Sequence, residues 1–142
     1  MKNKGFSLVE LLVTVAIIGI LASVGVLAYN GFIAIAKMKQ ATTGLNSIYL
    51  SQLEYKRNFG MFYQSNANCG FLNDDSVVIN TNLFNGDEIL ENDNYNFCIE
   101  YLNGSKTFQA NAYTKDGSAV YLTITNTNDK RMFDGQDWQE GW

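Results

Sequence analysis

Residues 6–36 read FSLVELLVTVAIIGILASVGVLAYNGFIAIA and carry one formal charge, that of Glu10. A helix of about 20 apolar residues is long enough to cross the hydrocarbon core of a bilayer. The length of the stretch and its lack of turn clusters favour a helix over a strand, although Val and Ile are frequent. The sequence therefore predicts a hydrophobic helix that must be buried in lipid or against other copies of itself.

The pattern becomes amphipathic after residue 36. Apolar and long side chains recur at steps of three and four residues, as on one face of a helix. They are Met38, Ala41, Leu45, Ile48, Tyr49, Gln52 and Tyr55. Gly60 is a natural stop signal, so we expect the helix to end at about residues 58–60.

Residues 95–125 change to a period of two, which is typical of half-buried strands. Alternating apolar positions and the turns Asn103-Gly104 and Asp116-Gly117 predict three antiparallel strands. The apolar stripe of the helix can cover one face of that sheet, which makes the fold class α+β. Residues 61–94 are expected to form an irregular polar connection. The tail, residues 126–142, is expected to add a strand or to pack down as a loop.

Composition excludes several functions. The chain has 142 residues, a net charge of −4 and no histidine. Without histidine there is no Ser-His-Asp or Cys-His nucleophile pair and no histidine metal site. The acidic balance argues against nucleic acid as the main partner, although it does not exclude it. We expect no enzyme activity, no catalytic residues, no metal site and no cofactor.

Cys69 and Cys98 are too far apart in sequence for a CxxC redox or zinc pattern. If residues 37–142 lie outside the cytoplasm, a disulfide between these cysteines is the natural expectation. The alternative is a pair of buried free thiols.

The order of residues at the N-terminus differs from that of an ordinary signal peptide, whose apolar region precedes the cleavage site and is lost. Here the small residue Gly5 precedes the apolar region. Cleavage after Gly5 would remove only the basic leader and keep the hydrophobic helix. Residues 4–12, Lys-Gly-Phe-Ser-Leu-Val-Glu-Leu-Leu, and residues 17–22, Ile-Ile-Gly-Ile-Leu-Ala, resemble the N-terminus of type IV prepilins and related pseudopilins.

This resemblance implies three segments and a processing route. They are a leader peptide (1–5), a transmembrane and polymerisation helix (6–36) and a globular head (37–142) of the pilin fold. A prepilin peptidase would cut between Gly5 and Phe6, and the new amine of Phe6 would be methylated. Lys2 and Lys4 fit a cytoplasmic leader. The chain would lie in the bacterial inner membrane, meet an assembly platform there, and polymerise into an extracellular pilus (fimbrium) of the kind used in adhesion and motility.

Glu10 is expected to act in assembly. A carboxylate within a membrane helix is costly and needs a cationic partner. Cleavage creates one, the amine of Phe6, and in a staggered neighbouring subunit that amine can meet Glu10 and set the axial register. The alternative is a glutamate that simply lies at the membrane surface.

Other assignments stay open at this point. The same N-terminus would suit a pseudopilin of a type II secretion system, or a minor pilin that primes the fibre or takes up DNA. An uncut, membrane-anchored binding domain is a further alternative. Leu27 stands where many pilins have a helix-kinking proline. Asn103-Gly104-Ser105 is both a hairpin turn and a glycosylation sequon. Tail oxygens could suit calcium, but their spacing fits no defined loop: Asn126, Asn128, Asp129, Asp134 and Asp137.

Overall fold

The computed structural model describes residues 5–90, 94–118 and 120–142, and at positions 27, 28 and 30 it describes the backbone alone. The leader lysines Lys2 and Lys4 and the side chain of Leu27 lie outside the described residues. The chain divides into two units, residues 1–36 and 37–142.

Helix α1 runs from Leu8 to Phe59 and contributes to both units. The helix ends just before Gly60, because glycine adopts the left-handed backbone conformation without steric cost. Gly60 has φ +76°, and its N–H donates to the carbonyl of Lys56 at 2.8 Å. The predicted end of the helix is thereby confirmed.

The second unit contains a five-stranded antiparallel sheet whose strands follow one another in sequence order. The three predicted strands are β1 (Tyr95–Tyr101), β2 (Phe108–Thr114) and β3 (Val120–Thr125). The tail supplies β4 (Lys130–Asp134) and β5 (Trp138–Glu140), so it extends the sheet by two strands. The α+β prediction is confirmed.

The core lies between the sheet and the part of α1 that belongs to this unit. One face of the strands is buried against one face of the helix, as the two periodicities predicted. The members of this core include Ala41, Leu45, Ile48, Phe97, Ile99, Phe108, Ala110, Ala112, Leu122 and Ile124. Gly44 lies at the closest approach: a methyl group there would come within 2.9 Å of Phe97 Cζ and 3.1 Å of Leu90 Cδ2.

Gln52 is a polar member of the apolar stripe and is fully buried. Its side-chain amide pairs with the backbone of Tyr63: Nε2 donates to the carbonyl at 2.7 Å, and Oε1 accepts from the N–H at 2.8 Å. A buried amide is tolerated because both its groups are satisfied. Gln52 therefore fixes the chain that leaves α1 against the helix itself.

The prediction that residues 61–94 are irregular throughout was wrong. Helix α2 spans Ser76–Leu83 within that range. Its sequence, SVVINTNL, is rich in β-branched residues and asparagine, which have low helix propensity. The helix is held by burial of Ile79 and Asn80, and Asn80 Oδ1 accepts a hydrogen bond from the N–H of Leu90 at 3.1 Å. Tertiary packing overrides local propensity here.

Candidate functional site

The residues expected to act in processing and assembly lie at the start of α1 and just before it. Phe6 is 75% exposed, and Gly5 is also exposed. Ser7 precedes the helix, and its Oγ accepts a hydrogen bond from the N–H of Val9 at 3.3 Å. In return, Glu10 Oε2 accepts from the N–H of Ser7 at 2.9 Å. The two bonds cap the helix start in the manner of a Ser-x-x-Glu capping box, with the hydroxyl on the N–H of Val9, one residue before Glu10.

This capping role of Glu10 was missed in the sequence, although the pattern Ser7-Leu8-Val9-Glu10 contains its signal. The carboxylate of Glu10 turns back toward Ser7. Among the described residues, all ion pairs lie within residues 37–142, and none involves Glu10.

The apolar side chains of the first unit face outward along its length. An 18-residue window of α1 has a mean hydropathy of 2.7 and no residue buried. Two hydroxyls in this segment bond to their own helix: Thr14 Oγ1 donates to Leu11 O at 2.8 Å, and Ser23 Oγ donates to Ile20 O at 2.7 Å. Internal satisfaction of this kind removes the cost of placing a hydroxyl in an apolar environment. By length and composition, α1 can cross a membrane.

Cys69 and Cys98 form a disulfide, with 5.8 Å between their Cα atoms. Cys98 lies in β1 with its side chain fully buried, while Cys69 lies in the connection that follows α1. The backbone N–H of Cys69 also donates to Glu100 Oε2 at 3.2 Å. The bond therefore ties the connection to the outer strand of the sheet.

The same connection covers the open edge of β1. Ser65 N–H donates to Ile99 O at 3.0 Å, and Asp75 N–H donates to Phe97 O at 2.9 Å. Ser65 Oγ accepts from the N–H of Ile99 at 2.9 Å. An unpaired sheet edge is a template for unwanted strand pairing, and here the stapled connection occupies it.

The sheet face opposite α1 carries an aromatic cluster that the sequence analysis did not single out. Its rings lie at alternate positions of the strands, joined by one ring from the stapled connection. The members are Phe71, Tyr113, Tyr121, Phe133 and Trp138, with neighbouring centroids 4.8–5.7 Å apart. Burial, followed by the charge of Glu100, raises the pKa of Tyr113 to about 12. The period-two pattern contained part of this signal, because Tyr121 lies on the face of β3 opposite the core residues Leu122 and Ile124.

The acidic tail residues are engaged within the protein. Asp134 Oδ1 accepts from the N–H groups of Gln136 and Asp137, each at 2.9 Å, and these hydrogen bonds lower the pKa of its carboxyl. Asp129 pairs with Arg131 at 3.0 Å. In the described ranges no three His, Cys, Asp or Glu residues converge as metal ligands would.

Comparisons with known proteins find one N-terminal motif and several relatives of similar sequence. Residues 1–26 match the family model of the prokaryotic N-terminal methylation motif. The chain is 34% identical over 75 residues to the type IV major pilin protein PilE of Neisseria gonorrhoeae, covering 53% of this chain and 45% of that protein. It is 41% identical over 54 residues to the type IV major pilin protein PilA of Myxococcus xanthus, covering 38% and 24%. It is 36% identical over 68 residues to the fimbrial protein EcpC of Eikenella corrodens, covering 48% and 44%.

The chain thus spans less than half the length of these curated relatives. No solved structure matches it. The relatives are named as major pilins or fimbrial proteins. In its N-terminal methylation motif and in its sequence the chain is similar to type IV pilins, and its fold is a long apolar helix followed by an antiparallel sheet.

Proposed function

We propose that this protein is the structural subunit of a type IV pilus. The observation that carries the proposal is the segment from Phe6 to Ile35, in which the large apolar side chains that the structure describes are exposed and the one charge lies in the first turn. Exposed apolar surface on this scale needs cover. In the membrane the cover is lipid, and in the fibre it is the same segment of neighbouring subunits.

Processing creates the charge that the fibre needs. Cleavage between Gly5 and Phe6 removes Lys2 and Lys4 and leaves a new amine on Phe6, the expected site of methylation. A carboxylate has two oxygens and room for several hydrogen bonds. Glu10 keeps one bond to the N–H of Ser7 and offers its remaining acceptor positions to the amine of a staggered neighbour. Pairing in the dry interior of the fibre relieves both charges and fixes the axial step.

The partners and location follow from this route. A prepilin peptidase acts on the leader at the cytoplasmic face, and an inner-membrane assembly platform receives the mature subunit. The head then lies outside the cell, where an oxidising environment favours the Cys69–Cys98 bond. The head needs no rearrangement for this, since its core is complete without the first 36 residues.

Electron microscopy of filaments sheared from the cell surface tests the proposal. Cells that lack this chain are expected to lose a class of thin fibres, and the intact chain is expected to restore it. Abundance of the chain in the sheared fraction separates a pilus from a short pseudopilus that stays in the periplasm. If fibres form equally well without the chain, it is not their structural subunit.

A further inference from the structure

The head contains two Asn-Gly pairs, Asn85-Gly86 and Asn103-Gly104, and all four residues are exposed. A third pair, Asn30-Gly31, lies inside helix α1 and outside the head. In such a pair the backbone nitrogen of glycine can attack the side-chain amide carbon of asparagine, because glycine has no side chain to obstruct the approach. The attack requires that the glycine N–H be free to lose its proton. The two pairs differ in how that N–H is held.

The N–H of Gly86 is engaged. It donates a hydrogen bond of 2.9 Å to the carbonyl of Asn80, which also accepts from Phe84 N–H at 3.1 Å. Asn80 is itself anchored, since its residue is 5% exposed and its Oδ1 accepts from the N–H of Leu90. Attack at Asn85 therefore requires that the cap of α2 open first.

The N–H of Gly104 is in a different position. Gly104 lies in the turn between β1 and β2 with φ +62°. Among the hydrogen bonds of residues 94–118, none is donated by this N–H. The bonds that close the turn are long: Leu102 N–H to Thr107 O at 3.3 Å, and Thr107 N–H to Gly104 O at 3.4 Å. Gly104 is an exposed residue, so base in the solvent can approach the turn.

We propose that Asn103 is a site of spontaneous deamidation in the folded protein and that Asn85 is protected. The nitrogen of Gly104 bonds to Cγ of Asn103, the bond from Cγ to Nδ2 breaks, and ammonia leaves. Water then opens the resulting five-membered imide at either carbonyl and gives aspartate or isoaspartate. No oxidant or reductant takes part, and water is the only co-reactant.

The product changes the surface of the head. Each event adds one negative charge at the β1–β2 turn of a chain whose formal net charge is −4. Isoaspartate also lengthens the backbone of the turn by one carbon. A protein that persists outside the cell would accumulate this change with age, and loss of the Asn103 amide would remove the sequon Asn103-Gly104-Ser105. The inference does not depend on polymerisation, because both pairs lie in the head.

Peptide mapping by mass spectrometry tests this directly. Trypsin cuts after Arg57 and Lys106 and has no site between them, so one peptide, residues 58–106, carries both Asn-Gly pairs. The full chain in detergent is incubated in mildly alkaline buffer, digested and fragmented to locate the mass gain of about one dalton. A hydrogen bond of ordinary strength on Gly86 is expected to make Asn103 react about five-fold faster than Asn85.

The unfolded chain is the matched control. In urea with reductant, both pairs lose their structure and are expected to react at nearly equal rates. Asn103→Gln is expected to abolish the early product, and Asn85→Gln is expected to leave it unchanged. Equal rates at the two sites in the folded chain, or a faster rate at Asn85, would overturn the proposal.

Discussion

The backbone N–H of Ser7 donates a hydrogen bond to Glu10 Oε2 at 2.9 Å, so Glu10 caps the helix of its own chain. This contact exists before any neighbouring subunit is present. Glu10 therefore has two separable functions, one as a hydrogen-bond acceptor for Ser7 and one as the negative charge proposed to meet the amine of a neighbour.

Substitution of Glu10 separates these functions. Glu10→Gln keeps an oxygen that can accept from Ser7 but removes the charge, whereas Glu10→Ala removes both. If the charge sets the register, both variants are expected to insert in the membrane, keep a folded head and lose most of the fibre yield. Fibre yield is measured in a strain without the wild-type copy.

Thr14→Val is the control, because it also makes this segment more apolar but breaks only the bond from Oγ1 to Leu11 O. It is expected to assemble normally. Normal fibre yield from Glu10→Gln would show that the charge is not needed and that capping alone explains the residue.

The disulfide is expected to stabilise the head substantially. Cys69 and Cys98 are separated by 29 positions, so the bond closes a loop of 30 residues counting both ends. The chain-entropy model gives such a loop about 3.5 kcal/mol, a large share of a typical margin of about 5–15 kcal/mol. A double variant, Cys69→Ser with Cys98→Ser, is expected to lose about that amount in denaturant unfolding of a fragment of residues 30–142. An unchanged unfolding midpoint would contradict it.

The close approach at Gly44 predicts that alanine at this position destabilises the head, although alanine usually stabilises a helix relative to glycine. Replacing a glycine within a helix by alanine normally raises stability by about 1 kcal/mol. At Gly44 the new methyl group would meet Phe97 Cζ at 2.9 Å, and that ring is buried and cannot swing away. We expect Gly44→Ala to destabilise the head by about 1–2 kcal/mol in net terms. Thr43→Ala, on the exposed side of the same turn, is the control and is expected to be nearly neutral. A gain of stability in Gly44→Ala would show that the core can accommodate the added methyl group.

The aromatic cluster predicts a loss of stability at alkaline pH. The pKa of Tyr113 in the folded state is about 12, against an ordinary value of 10.0. Because the protonated phenol is neutral, the folded protein keeps this proton to higher pH than the unfolded chain does. The stabilisation is complete below pH 10 and is lost as the pH rises to about 12. Tyr113→Phe should therefore lose less unfolding free energy than wild type across that window. Parallel losses in the two proteins would assign the effect to other groups.

The sequence predicted those features that repeat with a clear period. The alternation in β1 to β3 and the stripe from Ala41 to Gln52 located the core, because one face of each had to be apolar. It did not predict α2, since Val77, Val78 and Ile79 favour strands and become helical only through the burial of Ile79. Nor did it choose between loop and strand for the tail, whose strands β4 and β5 have only five and three residues.

The site divides in the same way. The roles of Gly5, Phe6 and Glu10 are predicted from a local motif, which sequence alone contains. The hydrogen bond between Glu10 and Ser7 was not predicted, although the capping pattern was present in the sequence. The cover of the β1 edge by Ser65 and Asp75 could not be predicted, because it depends on contacts between distant parts of the chain.

The intact mass of this chain from sheared surface filaments tests the central claim most directly. We expect a subunit that begins at Phe6, carries a methyl group on its new amine and has lost residues 1–5. A filament subunit that still carries Met1 through Gly5 would contradict the account of processing. Absence of the chain from the filaments would contradict the account of its function.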